Sequence, residues 1–156
     1  MAILNIVKDG DEILRKKSKD IDKIDDKILT LIEDMKETME KAGGVGLAAV
    51  QIGKLKKVIV IDTGEDQLTL INPKMVKTSG NQEDLEGCLS CPGRWGMVRR
   101  PMKVVVENTA LDGSLETIKA EGFLAKAICH EMDHLEGKLF YDNATRMLTQ
   151  EEIEAL

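Results

Sequence analysis

Apolar residues change their spacing along the chain, and the changes divide it into helix, strands and helix. Ile24, Ile28, Leu31, Ile32, Met35 and Met39 recur every three or four positions, the period of one helical face. Asp25 is placed to cap the start of that helix, and Gly43-Gly44 to stop it. This first helix is expected to cover one side of the core. The spacing then shortens. KVIVID (57–62) and LTLIN (68–72) read as strands parted by the turn-rich TGEDQ, and Pro73 ends the second. MVKTSG (75–80) continues as a further strand. Residues 97–107, MVRRPMKVVVE, read as one long strand or a bent pair, with Pro101 at an edge or bulge. Asp112-Gly113 marks a turn, and LETIKA (115–120) is the return strand. Connections this short suit antiparallel pairing.

Residues 121–136 go back to helix. Leu124, Ala127, Ile128 and Leu135 are apolar, while Phe123 and Ala125 lie on other faces. A helix apolar nearly all round is a buried one, and Gly137 suits its C′ position. Thr149 and Glu152 have capping-box spacing, which predicts a short terminal helix. The fold class is therefore α+β. Antiparallel strands pack around a buried helix in the C-terminal half, and an N-terminal helix covers the core. No internal repeat or low-complexity linker interrupts the pattern, so residues 1–156 are expected to form a single domain.

Composition narrows the function classes. The net charge is −6 with acids and bases interspersed, so no basic stripe is available to neutralise phosphates, and direct nucleic-acid readout is excluded. Lys54, Lys56 and Lys57, and Arg99 with Arg100, read as solvated loop charges. No apolar run approaches the roughly 20 residues of a membrane span. The opening MAILNIVKDGDEILRKK carries Asp9, Asp11 and Glu12 right after a short apolar stretch, unlike a signal or transit peptide, so the expected location is cytoplasmic. Three cysteines, Cys88, Cys91 and Cys129, are an odd count that speaks against a disulfide framework.

The predicted buried helix carries CHEMDHLEG (129–137), with both histidines of the chain. Residues four apart on a helix stand about 40° apart around the axis, so His130 and His134 can reach one metal ion. Glu131 lies on the flank, close enough to hydrogen-bond a water there without being a ligand. This H-E-x-x-H pattern carries a mechanism of two ligands and one general base. On an exposed helix it would be no more than a polar face. In a buried one, unpartnered imidazoles and a carboxylate would cost several kcal/mol, and metal ligation gives them partners.

A catalytic site needs a third protein ligand and an open position. Cys129 adjoins His130 but lies about 140° from His134, so it faces away from a shared metal. Cys88, Cys91 or a carboxylate remain. EGCLSCPG (86–93) holds the two cysteines as C-x-x-C, which admits a closed Cys₂His₂ zinc site or a thiol redox pair. The closed site leaves Glu131 without a task. The redox pair usually opens a helix after a strand, and Pro92-Gly93 would break one. GVGLAA (44–49) matches a dinucleotide-binding pattern, but it follows a helix instead of a strand, so that function is set aside. Its glycines let a backbone come close to a substrate, with Gln51 as a nearby hydrogen-bond donor.

Three segments thus stand in order: GVGLAAVQ (44–51), EGCLS (86–90) and HEMDHLEG (130–137). Together they resemble the signature motifs of bacterial peptide deformylase, and the resemblance runs over essentially the whole chain. It implies a metal-dependent hydrolase that removes the formyl group from N-terminal formyl-methionine of nascent proteins and releases formate. It implies Cys88 as the third ligand beside His130 and His134, and Glu131 as general base and acid. Gln51 and the backbone N–H of Leu89 would donate to the formyl oxygen. Gly46 would pair with the substrate main chain, and Val45, Ala127 and Ile128 would line the methionine pocket. Asp133 is a candidate to orient a ligand histidine. The implied cofactor is one divalent metal, ferrous iron in the cell, with zinc, nickel or cobalt as replacements. Formyl-methionyl nascent peptides are the implied partners, with a transient ribosome contact.

The chain departs from the family where Cys91 replaces a usual apolar residue, Cys129 a common glutamine and Trp95 a frequent arginine. It also ends without the long basic helix that some members carry. No departure falls on a residue assigned to the reaction. Against this stand a general metallopeptidase and a non-catalytic Cys₂His₂ zinc domain.

Overall fold

The computed structural model describes residues 2–156. Helix α1 spans Asp26–Lys41, and the Asp25 side chain accepts from the Ile28 N–H at its start. Nine strands follow: β1 (Gly46–Ala48), β2 (Val58–Asp62), β3 (Gln67–Ile71), β4 (Lys74–Ser79), β5 (Gln82–Cys88), β6 (Cys91–Arg100), β7 (Lys103–Thr109), β8 (Leu115–Glu121) and β9 (Ala144–Met147). Helix α2 spans Phe123–Leu135 between β8 and β9, and α3 (Gln150–Glu154) closes the chain behind the Thr149–Glu152 capping box.

The strands form three antiparallel sheets, ordered β1-β2-β3, β4-β7-β8 and β5-β6-β9. The first sheet explains why β2 is apolar at every position instead of alternating. Successive side chains point to opposite faces. Val58 and Val60 enter one core with Ile28, Ile32, Met35 and Met39 of α1. Ile59 and Ile61 enter another with Ile128, Cys129 and Leu135 of α2. The sheet is thus covered by a helix on each face. The second sheet closes over α2 with Val104, Val106 and Ala120. The third has its own small core of Leu14, Cys91, Val98, Leu139 and Phe140.

The α+β architecture, the helix over the core and the buried α2 agree with the sequence expectations. The stretch read from residue 97 is a bent pair, one of the two forms expected, but its first strand begins earlier, at Cys91. Pairing runs Cys88↔Cys91 and then Glu86↔Gly96, so residues 92–95 bulge out opposite Gly87 alone. A bulge leaves Pro92 free of any ladder hydrogen bond, which is how a strand can pass through it. The chain turns at Pro101, whose carbonyl, with that of Gly122, accepts from Gln82 Nε2. Strands β1, β5 and β9 went unpredicted.

Candidate metal centre

Two strands and a helix converge on the site. The 3₁₀ turn Ala49–Ile52 after β1 brings Gln51, the tip of the β5–β6 hairpin brings Cys88, and α2 brings His130, Glu131 and His134. One ligand atom each from Cys88, His130 and His134 lies within 4.8 Å of the other two. Cys88 Sγ is 3.4 Å from His134 Nε2. Among the described residues this is the one such group, and Cys91 is not part of it. A closed Cys₂His₂ arrangement is therefore not favoured. Cys129 is 8% exposed and packs into the core behind α2, as its angle on the helix required, and burial raises its thiol to about 11.

The imidazoles are prepared differently. His130 Nδ1 lies 2.8 Å from Glu86 Oε1. Donating that N–H leaves the Nε2 lone pair free toward the site. Glu86 is itself gripped by Arg100, at 3.0 Å from Nε and 2.9 Å from Nη2, and Arg100 Nη1 reaches Asp133 at 2.6 Å. Burial alone would raise Glu86, but His130 and Arg100 bring it down to about 2. Asp133 thus acts on Arg100 and touches neither imidazole among these bonds. His134 is fully buried and its Nδ1 has no hydrogen-bond partner. Burial, then the neighbouring His130, drives its pKa well down, so its ring is neutral, the form in which imidazole binds a metal. One cysteine sulfur with two imidazole nitrogens suits a borderline-soft divalent ion, so the donor set fits the implied metal.

Glu131 is 5% exposed, its Oε1 lacks a partner, and its Oε2 stands 4.0 Å from His130 Nε2. Burial raises its pKa to about 7, with His130 opposing in part. Its seat depends on Gly46, where an added Cβ would fall 2.6 Å from Glu131 Oε2. Gln51 is 1% exposed; its Oε1 accepts from the Ala48 N–H at 2.9 Å. That bond turns Nε2 toward the site, 3.1 Å from Ser90 Oγ and 3.5 Å from Cys88 Sγ.

Gln51, Cys88, His130 and Glu131 floor a cavity of about 340 Å³. Val45, Gly46, Leu89 and Ala127 line it, and Trp95 at the bulge lies where any side chain on Gly87 would sit. Ile128 is a correction. It is fully buried in the core with Ile59 and Val106, because one residue along α2 turns the side chain about 100° away from the cavity. Glu86, Arg100 and Ser90 were missed as site residues. Glu86 stood inside the quoted EGCLS, but its partner is 44 positions away.

Residues 3–150 match the family described as polypeptide deformylase. The chain belongs to that family. It is 53% identical to the peptide deformylase of Acetivibrio thermocellus over 154 residues, covering 99% of this chain and 91% of that one. It is 50% identical to the peptide deformylase of Caldicellulosiruptor bescii, covering 99% and 93%. The crystal structure of a peptide deformylase from Synechococcus elongatus in complex with actinonin superposes with a TM-score of 0.88 at 40% identity, covering 97% and 82%. That from Thermotoga maritima gives 0.90 at 34%, covering 93% and 99%. Membership makes the chain a metal-dependent hydrolase that removes the N-formyl group from formyl-methionyl peptides. Among the described residues no helix is long and apolar enough to cross a membrane.

Proposed function

We propose that Cys88, His130 and His134 hold the metal of this deformylase and that Glu131, Gln51 and Leu89 carry the reaction. The observation that supports this most is the meeting of three ligand atoms within 4.8 Å beside a buried carboxylate with an unpartnered oxygen. A divalent cation held there supplies Lewis acidity and a water acidified toward neutral pH. Glu131 takes the proton of the attacking water and later delivers it to the leaving amine. A carboxyl poised near 7 suits transfer in both directions. Gln51 Nε2, held by the Ala48 N–H that fixes its Oε1, and the Leu89 backbone N–H donate to the oxygen as it becomes negative. Gly46 receives the substrate main chain, and Val45 and Ala127 face the methionine side chain.

Ferrous iron is the metal we assign in the cell, with zinc, nickel or cobalt as replacements. The chain works in the cytoplasm, on nascent peptides that it meets in a transient contact with the ribosome. Metal analysis of protein purified without oxygen tests the first of these. Formate release from formyl-Met-Ala-Ser against acetyl-Met-Ala-Ser tests the activity. The formyl carbon bears only hydrogen, whereas an acetyl methyl would lift the oxygen from its donors, and a misplacement of about 1 Å costs on the order of 10²-fold. Comparable rates on the two peptides would contradict the reading.

A further inference from the structure

One feature of the site has no task in deformylation: the second cysteine of the hairpin. Cys88 and Cys91 are direct cross-strand partners, joined by the two residues Leu89-Ser90. Such partners have Cα atoms about 4.5–5.5 Å apart, inside the roughly 4.4–6.8 Å that a disulfide spans. Both cysteines line the cavity and both pack into the small core of the third sheet. Neither is in a disulfide in the described structure. Cys91 is 2% exposed overall, so the cavity is its route to solutes. Cys129, also buried, does not line it.

We propose that Cys88 and Cys91 are a reversible dithiol–disulfide pair, closed by a hydroperoxide small enough to enter the cavity. One thiol sulfur attacks the peroxide oxygen; the O–O bond breaks, a first water leaves, and the sulfur becomes a sulfenic acid. The other thiol sulfur displaces that oxygen as a second water, and the S–S bond forms. Two sulfurs have together lost two electrons and two hydrogens, and one hydrogen peroxide has become two waters. The pair forestalls the irreversible outcome, since a lone sulfenic acid proceeds to sulfinic acid under excess peroxide. Resting on the reading of Cys88 as a ligand, closure also removes the thiolate that the metal needs, so oxidation releases the metal and a dithiol restores the site.

The test treats the zinc-loaded protein with hydrogen peroxide and follows zinc with a chromogenic indicator and sulfur by mass. The tryptic peptide 78–94 holds both cysteines. It is expected to lose the mass of two hydrogens and resist alkylation, with Cys129 unchanged, one zinc released per chain, and dithiothreitol plus zinc reversing all of it. Cys91→Val, and Cys91→Ser should the first fail to fold, is expected to gain oxygen at Cys88 and stay oxidised after dithiothreitol. Oxygen addition at Cys88 of the wild type without the loss of two hydrogens overturns the pair. A disulfide that forms while zinc stays bound supports the pair and overturns the ligand assignment of Cys88.

Discussion

Glu86 on β5 and Glu131 on α2 are each 5% exposed and stand on facing walls of one cavity, yet their protons are held at opposite ends of the scale. Burial raises both. Glu86 is nevertheless brought down to about 2, because His130 and two Arg100 nitrogens donate to its oxygens. Burial takes Glu131 up to about 7, and its Oε1 has no donor to oppose the rise. The same residue type at the same burial is a fixed anion in one place and a proton carrier in the other. What brings Glu86 down against its burial is the supply of donors, which Glu131 lacks. A buried carboxylate with every lone pair engaged can orient a ligand, and one with lone pairs free can do chemistry.

The largest effect that this contrast predicts is on turnover. Glu131→Gln keeps shape and volume but cannot take a proton. Formate release should fall by on the order of 10²–10⁴ while bound metal, measured by elemental analysis, stays at the wild-type level. An unimpaired variant would sink the assignment of Glu131 as proton carrier. Glu86→Gln should do the reverse. It leaves Arg100, 5% exposed, with Asp133 as its remaining carboxylate partner. Removing one member of a buried ion pair costs about 3–5 kcal/mol, readable as a lower urea midpoint with the slope unchanged. Weakened metal retention should accompany it, since His130 loses the group that sets its tautomer.

Only part of this contrast was legible in the sequence. The helix α2 and its two histidines were, because ligands four apart on a helix need only local geometry. So was β2, since an unbroken apolar run between turns is a strand. The choice between Cys88 and Cys91 was open on the residues alone, for a C-x-x-C presents two equivalent thiols until the hairpin register is known. The register Cys88↔Cys91 sets the two thiols side by side on one face of the hairpin, and of the two it is Cys88 that comes within reach of His134. Strand β1, three residues long, is too short to show a period. Arg100 read as half of a solvated pair, whereas its neighbour Arg99 is the exposed one; alternation along β6 sends the two to opposite faces.

Acid and neutral pH offer a finer cut through the comparison, in the metal-free protein. Glu86 has a folded pKa of about 2, below its ordinary 4.5. Between those values the unfolded chain binds more protons, so its contribution is complete above pH 4.5 and is lost as pH falls toward 2. Glu131 has the opposite sign, with a folded pKa of about 7 above the ordinary 4.5. Its contribution is complete below pH 4.5 and is lost as pH rises through 7. Each window is worth on the order of 3 kcal/mol. Urea midpoints from pH 2 to 8 should therefore converge with those of Glu86→Gln in the lower window and shift against those of Glu131→Gln in the upper one. Parallel curves in both windows would mean that the two carboxyls do not differ as described.

The smallest expected effect concerns the far end of the donor chain. Asp133 lies on α2, three residues from His130, and the sequence offered it as a residue that orients an imidazole. Its carboxylate instead reaches Arg100 Nη1 at 2.6 Å and Asn143 Nδ2 at 3.4 Å. Its side chain keeps 24% of its exposure, against 3% for Glu86. Water can therefore replace much of what Asp133 gives Arg100, which retains both bonds to Glu86. Asp133→Asn should cost about 1 kcal/mol, the range of a partly exposed charged pair, and leave metal content and turnover nearly unchanged. If Asp133→Asn instead lost metal as Glu86→Gln is expected to, the charge on Arg100 would depend on both carboxylates together. The orienting unit would then be the whole chain Asp133–Arg100–Glu86 and not Glu86 with its arginine. A double variant, Asp133→Asn with Glu86→Gln, separates these cases: independent contributions add, whereas a single unit loses no more in the double variant than in Glu86→Gln alone.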